Sequence, residues 1–291
     1  MHSKTSILRS FFRPILRFLG MSTPPPPEFE FPGDSRVEDW ESTLRDRYCS
    51  SDPEKSPRDR LRMETLKVTN IRRYKEKKHV EHEYLVAEVE DPVFGQPRYL
   101  LIERTVDDTL PANDTTARSP RSSRSALSLS SQSSLGMISK IPARDHVTKM
   151  ASWPTGDILI DNIKCQGSKM ILLHLAMAAK VVHDLNEKYH VFKRQCFWYT
   201  DVISGVLEKE FSLSKAKVSD TSLTADHAPD AEMERFDSLS GTYKKVKFYQ
   251  RRMEVIDEIH AVFEAYRKNI ETSVNLLNIG ILLLTDHDHR S

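Results

Sequence analysis

One cysteine, Cys196, stands where a charged and aromatic stretch gives way to an apolar helical pattern. Lys193, Arg194 and Gln195 come directly before it, and the aromatic run FWY follows. A cysteine in the first turn of a helix faces unpaired backbone N–H groups and the positive end of the helix dipole. This setting and the nearby cations both favour the thiolate, which is the nucleophilic form. The alternative is a buried cysteine that packs as a small apolar side chain, the commoner role of a lone cysteine.

A nucleophilic thiol needs a general base within hydrogen-bond reach, and the base needs a polar group that orients it. His82 begins the segment HEYLVAEV, and Glu103 lies in the segment YLLIERT; both are rich in β-forming residues. A turn-rich connection joins them, so we expect an antiparallel pair of strands. His82 is then the candidate base, and Glu103 or Asp157 is the candidate orienting group. The alternative for His82 is an exposed strand residue without a catalytic role.

Composition limits the classes of function. The 291 residues include 43 Lys and Arg against 42 Asp and Glu, a formal net charge of +1, so no overall field attracts nucleic acid. Cys49, Cys165 and Cys196 are odd in number and widely spaced, unlike a disulfide framework or a metal site. We therefore expect an intracellular protein, cytoplasmic by default, without cofactor or metal. No apolar run approaches the roughly 20 residues of a membrane-spanning helix.

The first 20 residues carry basic and apolar side chains and no acidic one. Such a segment resembles a mitochondrial presequence or an anchor at a membrane surface. Pro14 interrupts the helical pattern, and Met21 offers a second start of translation. A mitochondrial role, a membrane-surface contact and a plain disordered extension stay open as hypotheses. We expect residues 1–62 to be largely disordered, with one helix predicted around Val37–Tyr48 and Ser35 as its cap.

The segments that follow predict an α+β core in which a small antiparallel sheet packs against helices. We place this core at residues 63–211, interrupted by a disordered insertion at 106–142. The insertion is dominated by Ser and Arg and has too few apolar residues to order itself. After it we expect a strand at Gly156–Ile163 and then a helix at Ser168–Lys188, with Ser168 as its N-cap, before the helix that begins at Cys196.

The C-terminal part predicts a loop and one long helix. Residues 212–241 are polar and read as loop, whereas apolar residues recur three or four apart from Tyr243 to Leu277. We assign a long helix to residues 242–279 and expect its apolar stripe to pack on the core, because an isolated helix gains little stability without burying such a face. The chain is accordingly predicted to be a monomer.

The order of these elements resembles a known arrangement. A His-bearing strand, a polar strand and then a helix that begins with Cys is similar to the circularly permuted papain-like core of the NlpC/P60 superfamily, including lecithin retinol acyltransferase-like and PPPDE-type proteins. There an Asn–Cys pair followed by an aromatic residue opens the catalytic helix; here the pair is Gln195–Cys196, followed by Phe197. The segments HEYLVAEV, YLLIERT and KYHVFKRQCFWYT also resemble a family of uncharacterised proteins abundant in mushroom-forming fungi, over roughly residues 66–211.

The papain-like resemblance implies thiol acyl chemistry, with Cys196, His82, Glu103 and Gln195 as site residues. Cys196 would attack the carbonyl of an amide, isopeptide or ester, and His82 would transfer the protons. The alternative hypothesis is a non-catalytic module, in which the aromatic run and the long helix contact a protein partner and phosphorylation of the Ser/Arg insertion regulates the contact. The position of His82 relative to the Cys196 sulfur separates the two, because a base must lie within about 3–4 Å of its nucleophile.

Overall fold

The computed structural model describes residues 31, 33–52, 56–77, 82–106, 143–185, 196–215, 242–243, 246–247 and 253–288. All of these residues belong to one compact unit, Phe31–Ser291. The N-terminal basic segment, Met21 and the Ser/Arg insertion after Val106 lie outside the described residues. None of the helices in the described ranges combines the length and the apolar character needed to cross a membrane.

The predicted α+β class, with an antiparallel sheet and a C-terminal helix, is confirmed. The described strands are β1 (Asp34–Arg36), β2 (Lys67–Lys75), β3 (Glu83–Glu90), β4 (Arg98–Val106), β5 (Ala143–Met150), β6 (Ile158–Lys164), β7 (Ser214–Lys215), β8 (Thr242–Tyr243) and β9 (Val246–Lys247). The described helices are α1 (Val37–Tyr48), α2 (Ser56–Thr65), α3 (Leu172–Asp184), α4 (Cys196–Phe211) and α5 (Met253–Asp288).

Seven of these strands form one antiparallel sheet in the order β1-β5-β4-β3-β2-β6-β7. Cross-strand pairs in its centre, Leu85 with Ile102 and Ala87 with Leu100, are fully buried on the face that the helices cover. Helix α4 packs against β3 and β4, α3 packs against α1 and α4, and α5 packs on α3 and α4. The other face carries a smaller apolar cluster around Tyr84, because alternate residues of a strand point to opposite faces.

The ordered core begins earlier than the sequence indicated. The helix expected at Val37–Tyr48 is present, but residues 1–62 were predicted to be largely disordered, and the described part of that stretch packs on the core. Trp40 and Leu44 of α1 are buried to 2% and 1% exposure, because their spacing places both on the face of α1 toward α3 and β5. The N-cap of α1 is Arg36, without a side-chain hydrogen bond, so Ser35 is not the cap.

Other boundaries also differ from the predictions. Helix α3 begins at Leu172 because His174 caps it through the Ile171 N–H, whereas the Ser168 hydroxyl accepts the N–H of Met170 before the helix. Strand β7 occupies two residues of the predicted 212–241 loop and pairs with β6. The hairpin of β8 and β9 takes the place of the expected first turns of the C-terminal helix, which begins at Met253. The stripe of α5 is buried as predicted at Ile256, Phe263 and Ile270.

Candidate functional site

The fold brings Cys196, His82 and Glu103 together. Cys196 is the first residue of α4, His82 lies directly before β3, and Glu103 lies in β4. His82 Nε2 is 2.7 Å from Glu103 Oε2, and the Cys196 side chain is close enough to the His82 ring to help raise the pKa of His82. Gln195, the fourth predicted site residue, lies outside the described residues.

The turn between β3 and β4 sets the register that aligns the base with its orienting carboxylate. Gly95 lies in this turn with φ +67°, a conformation that residues with a Cβ rarely adopt. The Asp91 carboxylate accepts the N–H of Val93 at 3.0 Å and pairs with buried Arg62 from α2. The resulting register pairs Val86 with Leu101. Glu103 is two residues after Leu101, and His82 is four residues before Val86. Because side chains alternate between the faces of a sheet, both residues belong to the same face.

A second histidine, which the sequence analysis missed, binds the same carboxylate. His146 Nε2 lies 2.8 Å from Glu103 Oε1, and the two residues are directly paired in the register of β4 and β5. The signal that could have revealed it is the alternation of ARDHVTKM, in which Ala143, Asp145 and Val147 are buried and His146 is on the opposite face. We did not predict this strand, because it directly follows the low-complexity insertion.

The electrostatics of the three residues reflect this shared hydrogen bonding. Burial opposes a charged ring at His82, but the hydrogen bonds to Cys196 and Glu103 outweigh it and raise the pKa of His82 to about 10. Burial also opposes the carboxylate of Glu103, yet its bonds to His146 and His82 lower the pKa of Glu103 to about 2. The hydrogen bond to Glu103 raises the pKa of His146, against the effect of burial. At neutral pH the site therefore contains a carboxylate beside a protonated His82.

Asp157, the other candidate for the orienting role, has a different partner. Its Oδ2 accepts the hydroxyl of Tyr84 at 2.6 Å, and its Oδ1 faces the backbone N–H of Lys77 at 3.5 Å. Burial and this hydrogen bond together raise the pKa of the Tyr84 hydroxyl far above its usual range. Of the two carboxylates that the sequence left open, Glu103 is therefore the one that binds His82.

Buried charges hold the cysteine helix on the sheet. Arg104 is fully buried and binds both carboxylate oxygens of Asp145, at 2.7 and 2.6 Å. Its guanidinium carbon lies 5.5 Å from the ring centre of Trp198 and 4.6 Å from that of Tyr199, both in the first turn of α4. The aromatic run that the interaction hypothesis assigned to a partner is thus part of the core, with Phe197 only 4% exposed.

The other two cysteines lack the features of Cys196. All three are free thiols. Burial raises the pKa of Cys165 to about 12, and its S–H faces the carbonyl of Ile163. Burial likewise raises the pKa of Cys49. The described residues contain no cluster of His, Cys, Asp and Glu side chains that could hold a metal ion.

Comparison with protein-family models, with curated proteins and with solved structures found no match for this chain. The resemblances to papain-like and fungal proteins therefore stay predictions. The geometry of Cys196, His82 and Glu103 is the feature from which a function can be inferred.

Proposed function

We propose that the protein is a cysteine-dependent hydrolase or acyltransferase that acts on an amide, isopeptide or ester bond. The observation that carries this proposal is the grouping of Cys196, at the start of α4, with the His82 ring, which in turn binds Glu103 at 2.7 Å. A nucleophile, a base and an orienting carboxylate in that order are the components of thiol acyl transfer. A positively charged ring beside the sulfur stabilises negative charge on it, and so does the N-terminus of a helix.

In the first half of the reaction, the Cys196 sulfur attacks the carbonyl carbon, and the carbonyl electron pair moves to oxygen. The first backbone N–H groups of a helix have no partner within the helix, so those of α4 can donate to this oxyanion. The tetrahedral intermediate collapses, the C–N or C–O bond breaks, and the leaving group takes a proton from His82. The product is a thioester on Cys196. Glu103 keeps the His82 ring in one orientation during this transfer.

In the second half, neutral His82 accepts a proton from water or from an acceptor hydroxyl or amine. The oxygen or nitrogen of that molecule attacks the thioester carbon, and the C–S bond breaks to release the Cys196 sulfur. Water as the acceptor gives hydrolysis, whereas an alcohol or amine gives acyl transfer. The same histidine therefore serves as acid in one half and as base in the other.

The non-catalytic hypothesis is less well supported. It assigned the aromatic run and the long helix to a protein partner, but the described aromatic residues and the apolar stripe of α5 are buried within this chain. Its regulatory insertion lies outside the described residues. No described contact favours a partner surface over the thiol site.

Competitive alkylation with iodoacetamide at pH 6 tests the proposal. Cys165 is a matched control for burial, because it is 1% exposed and Cys196 is 6% exposed, while Cys49 controls for access. We expect Cys196 to react at least about tenfold faster than either control, because an unactivated thiol is less than about 1% ionised at this pH. Peptide mass spectrometry measures the three rates in the same sample.

Two variants and an acyl donor complete the test. His82→Ala should reduce the Cys196 rate to that of Cys165, and Glu103→Gln should reduce it partly. With p-nitrophenyl acetate, an acetyl group should appear on Cys196 and be absent from Cys196→Ser. Equal rates for all three thiols, or an unchanged rate in His82→Ala, would reject an activated nucleophile.

A further inference from the structure

The carboxylate of Glu103 is held from two sides. Its Oε2 binds His82 Nε2 at 2.7 Å, and its Oε1 binds His146 Nε2 at 2.8 Å. The side chains of Glu103 and His82 are each 17% exposed and that of His146 is 15% exposed, so water competes only weakly for these bonds. Each oxygen of the Glu103 carboxylate is thus hydrogen-bonded to a different imidazole ring.

The backbone places His146 directly opposite Glu103. The two residues are a cross-strand pair of β4 and β5, whose side chains lie on the same face. The Nδ1 atom of His146 is buried and has no hydrogen-bond partner within the described part of the chain. Asp34 and Arg144, two other charged groups that act on the pKa of His146, pair with each other at 3.6 Å. The hydrogen bond to Glu103 is therefore the contact that orients the His146 ring.

A carboxylate with one hydrogen bond can rotate about its last side-chain bond, because that torsion has broad minima. Hydrogen bonds to both oxygens define the plane of the carboxylate. Glu103 Oε2 binds His82 Nε2, so the position of Oε2 determines the orientation of the His82 ring and hence how that ring is presented to Cys196. In metal sites, such outer partners influence the inner group strongly although they never touch the substrate.

We propose that His146 is a positioning residue, which holds the Glu103 carboxylate so that His82 is presented to Cys196. The catalytic consequence of this role rests on the proposed thiol chemistry, whereas the effect on the His82 ring does not. A neutral His146 with its proton on Nε2 still donates to Glu103, so the role persists when His146 loses its charge.

Three substitutions separate positioning from general stability. His146→Leu removes the donor, and His146→Gln keeps an N–H donor of similar reach. Thr148→Leu is the matched control, because Thr148 lies two residues along β5 on the same face and pairs with Leu101. Thermal unfolding of each variant establishes that it is folded; should His146→Leu not fold, His146→Asn replaces it, since its amide is too short to reach Glu103.

The first measurement is a ¹⁵N NMR titration of the His82 ring, which does not depend on thiol reactivity. We expect the pKa of His82 to fall by about one pH unit or more in His146→Leu, because Glu103 is then no longer held toward the ring. His146→Gln and Thr148→Leu should stay close to the wild type. An unchanged His82 titration in His146→Leu would overturn the proposal, and so would an equal fall in a folded His146→Gln.

The second measurement is the rate of Cys196 alkylation by iodoacetamide at pH 6. His146→Leu should react about tenfold more slowly than the wild type, and His146→Gln should recover most of that loss, as expected for an outer hydrogen-bond partner. If wild-type Cys196 reacts no faster than Cys165, the proposed function fails, and the His82 titration still decides the role of His146. If Cys196 is fast and His146→Leu is equally fast, the positioning role fails and the function stands.

Discussion

Replacing Arg104 with methionine should destabilise the protein strongly, because Arg104 compensates a buried carboxylate. Arg104 and Asp145 are both fully buried and joined by two hydrogen bonds of 2.7 and 2.6 Å. Methionine preserves much of the volume, but among the described residues it leaves the Asp145 carboxylate with only its 2.8 Å bond to His183. Removal of one partner of a buried ion pair costs about 3–5 kcal/mol, and we expect Arg104→Met to fall in this range.

A surface ion pair of the same length provides the control. Lys209 and Asp257 are also 2.7 Å apart, but their side chains are 43% and 56% exposed. Solvent screens such a pair, so Lys209→Met should cost no more than about 1 kcal/mol. Urea unfolding followed by tryptophan fluorescence measures both variants, and Trp198 lies beside Arg104 as a local probe. A free energy of unfolding for Arg104→Met within about 1 kcal/mol of the wild type would refute the reasoning.

The loss in the free energy of unfolding that Arg104→Met causes should also depend on pH. Burial lowers the pKa of His183, and the positive charge of Arg104 lowers it too. The carboxylates of Asp145 and Glu38 outweigh both effects, so the pKa of His183 lies above its usual value. Without Arg104 the pKa of His183 should rise further, so a charged His183 partly replaces the lost guanidinium. Stability from a raised histidine pKa is fully present below about pH 6.5 and is lost as the pH rises through the folded pKa. The destabilisation should therefore be smaller at pH 6 than at pH 9, and a larger cost at pH 6 would contradict this coupling.

Two further predictions concern the long helix and the acid–base behaviour of the site. Phe263→Asp, at a fully buried position of α5, should destabilise the whole core by about 3–5 kcal/mol or more and leave the mass in solution unchanged. Val262→Asp, at a position 42% exposed, should change neither the stability nor the mass. A halved mass with unchanged melting would instead show that α5 joins two chains. For the site, the pKa of His82 near 10 means that its pairing stabilises the fold fully below about pH 6.5 and progressively less up to pH 10. The stability difference between the wild type and His82→Ala should shrink over that window in urea titrations; a difference that grows with pH would contradict the assignment.

Local features of the site could be predicted because they depend on neighbours in sequence. The segment from His82 to Glu103 contains two runs of β-forming residues and a turn with Gly95, so the hairpin and the alternation of its faces follow from short-range rules. The helix that begins at Cys196 likewise follows from its own apolar period. The sequence by itself therefore indicated that a Cys, a His and a carboxylate could act together, and that Cys196 begins a helix and Glu103 lies in a strand. It left Glu103 and Asp157 as alternatives, and it placed His82 in the strand that begins one residue later.

Only the tertiary structure decided which partners these residues have. The pairing of Glu103 with His146 joins two strands separated by the whole insertion, and no local rule specifies that register. The alternation pattern also did not predict strand β5, because Asp145 is charged and a charged residue in a strand is expected to face water. Its burial is stable because Arg104 and His183, from other parts of the chain, bind the Asp145 carboxylate in the core. A contact between residues remote in sequence thus converts a polar position into a core position, and it places His146 on the opposite face beside Glu103.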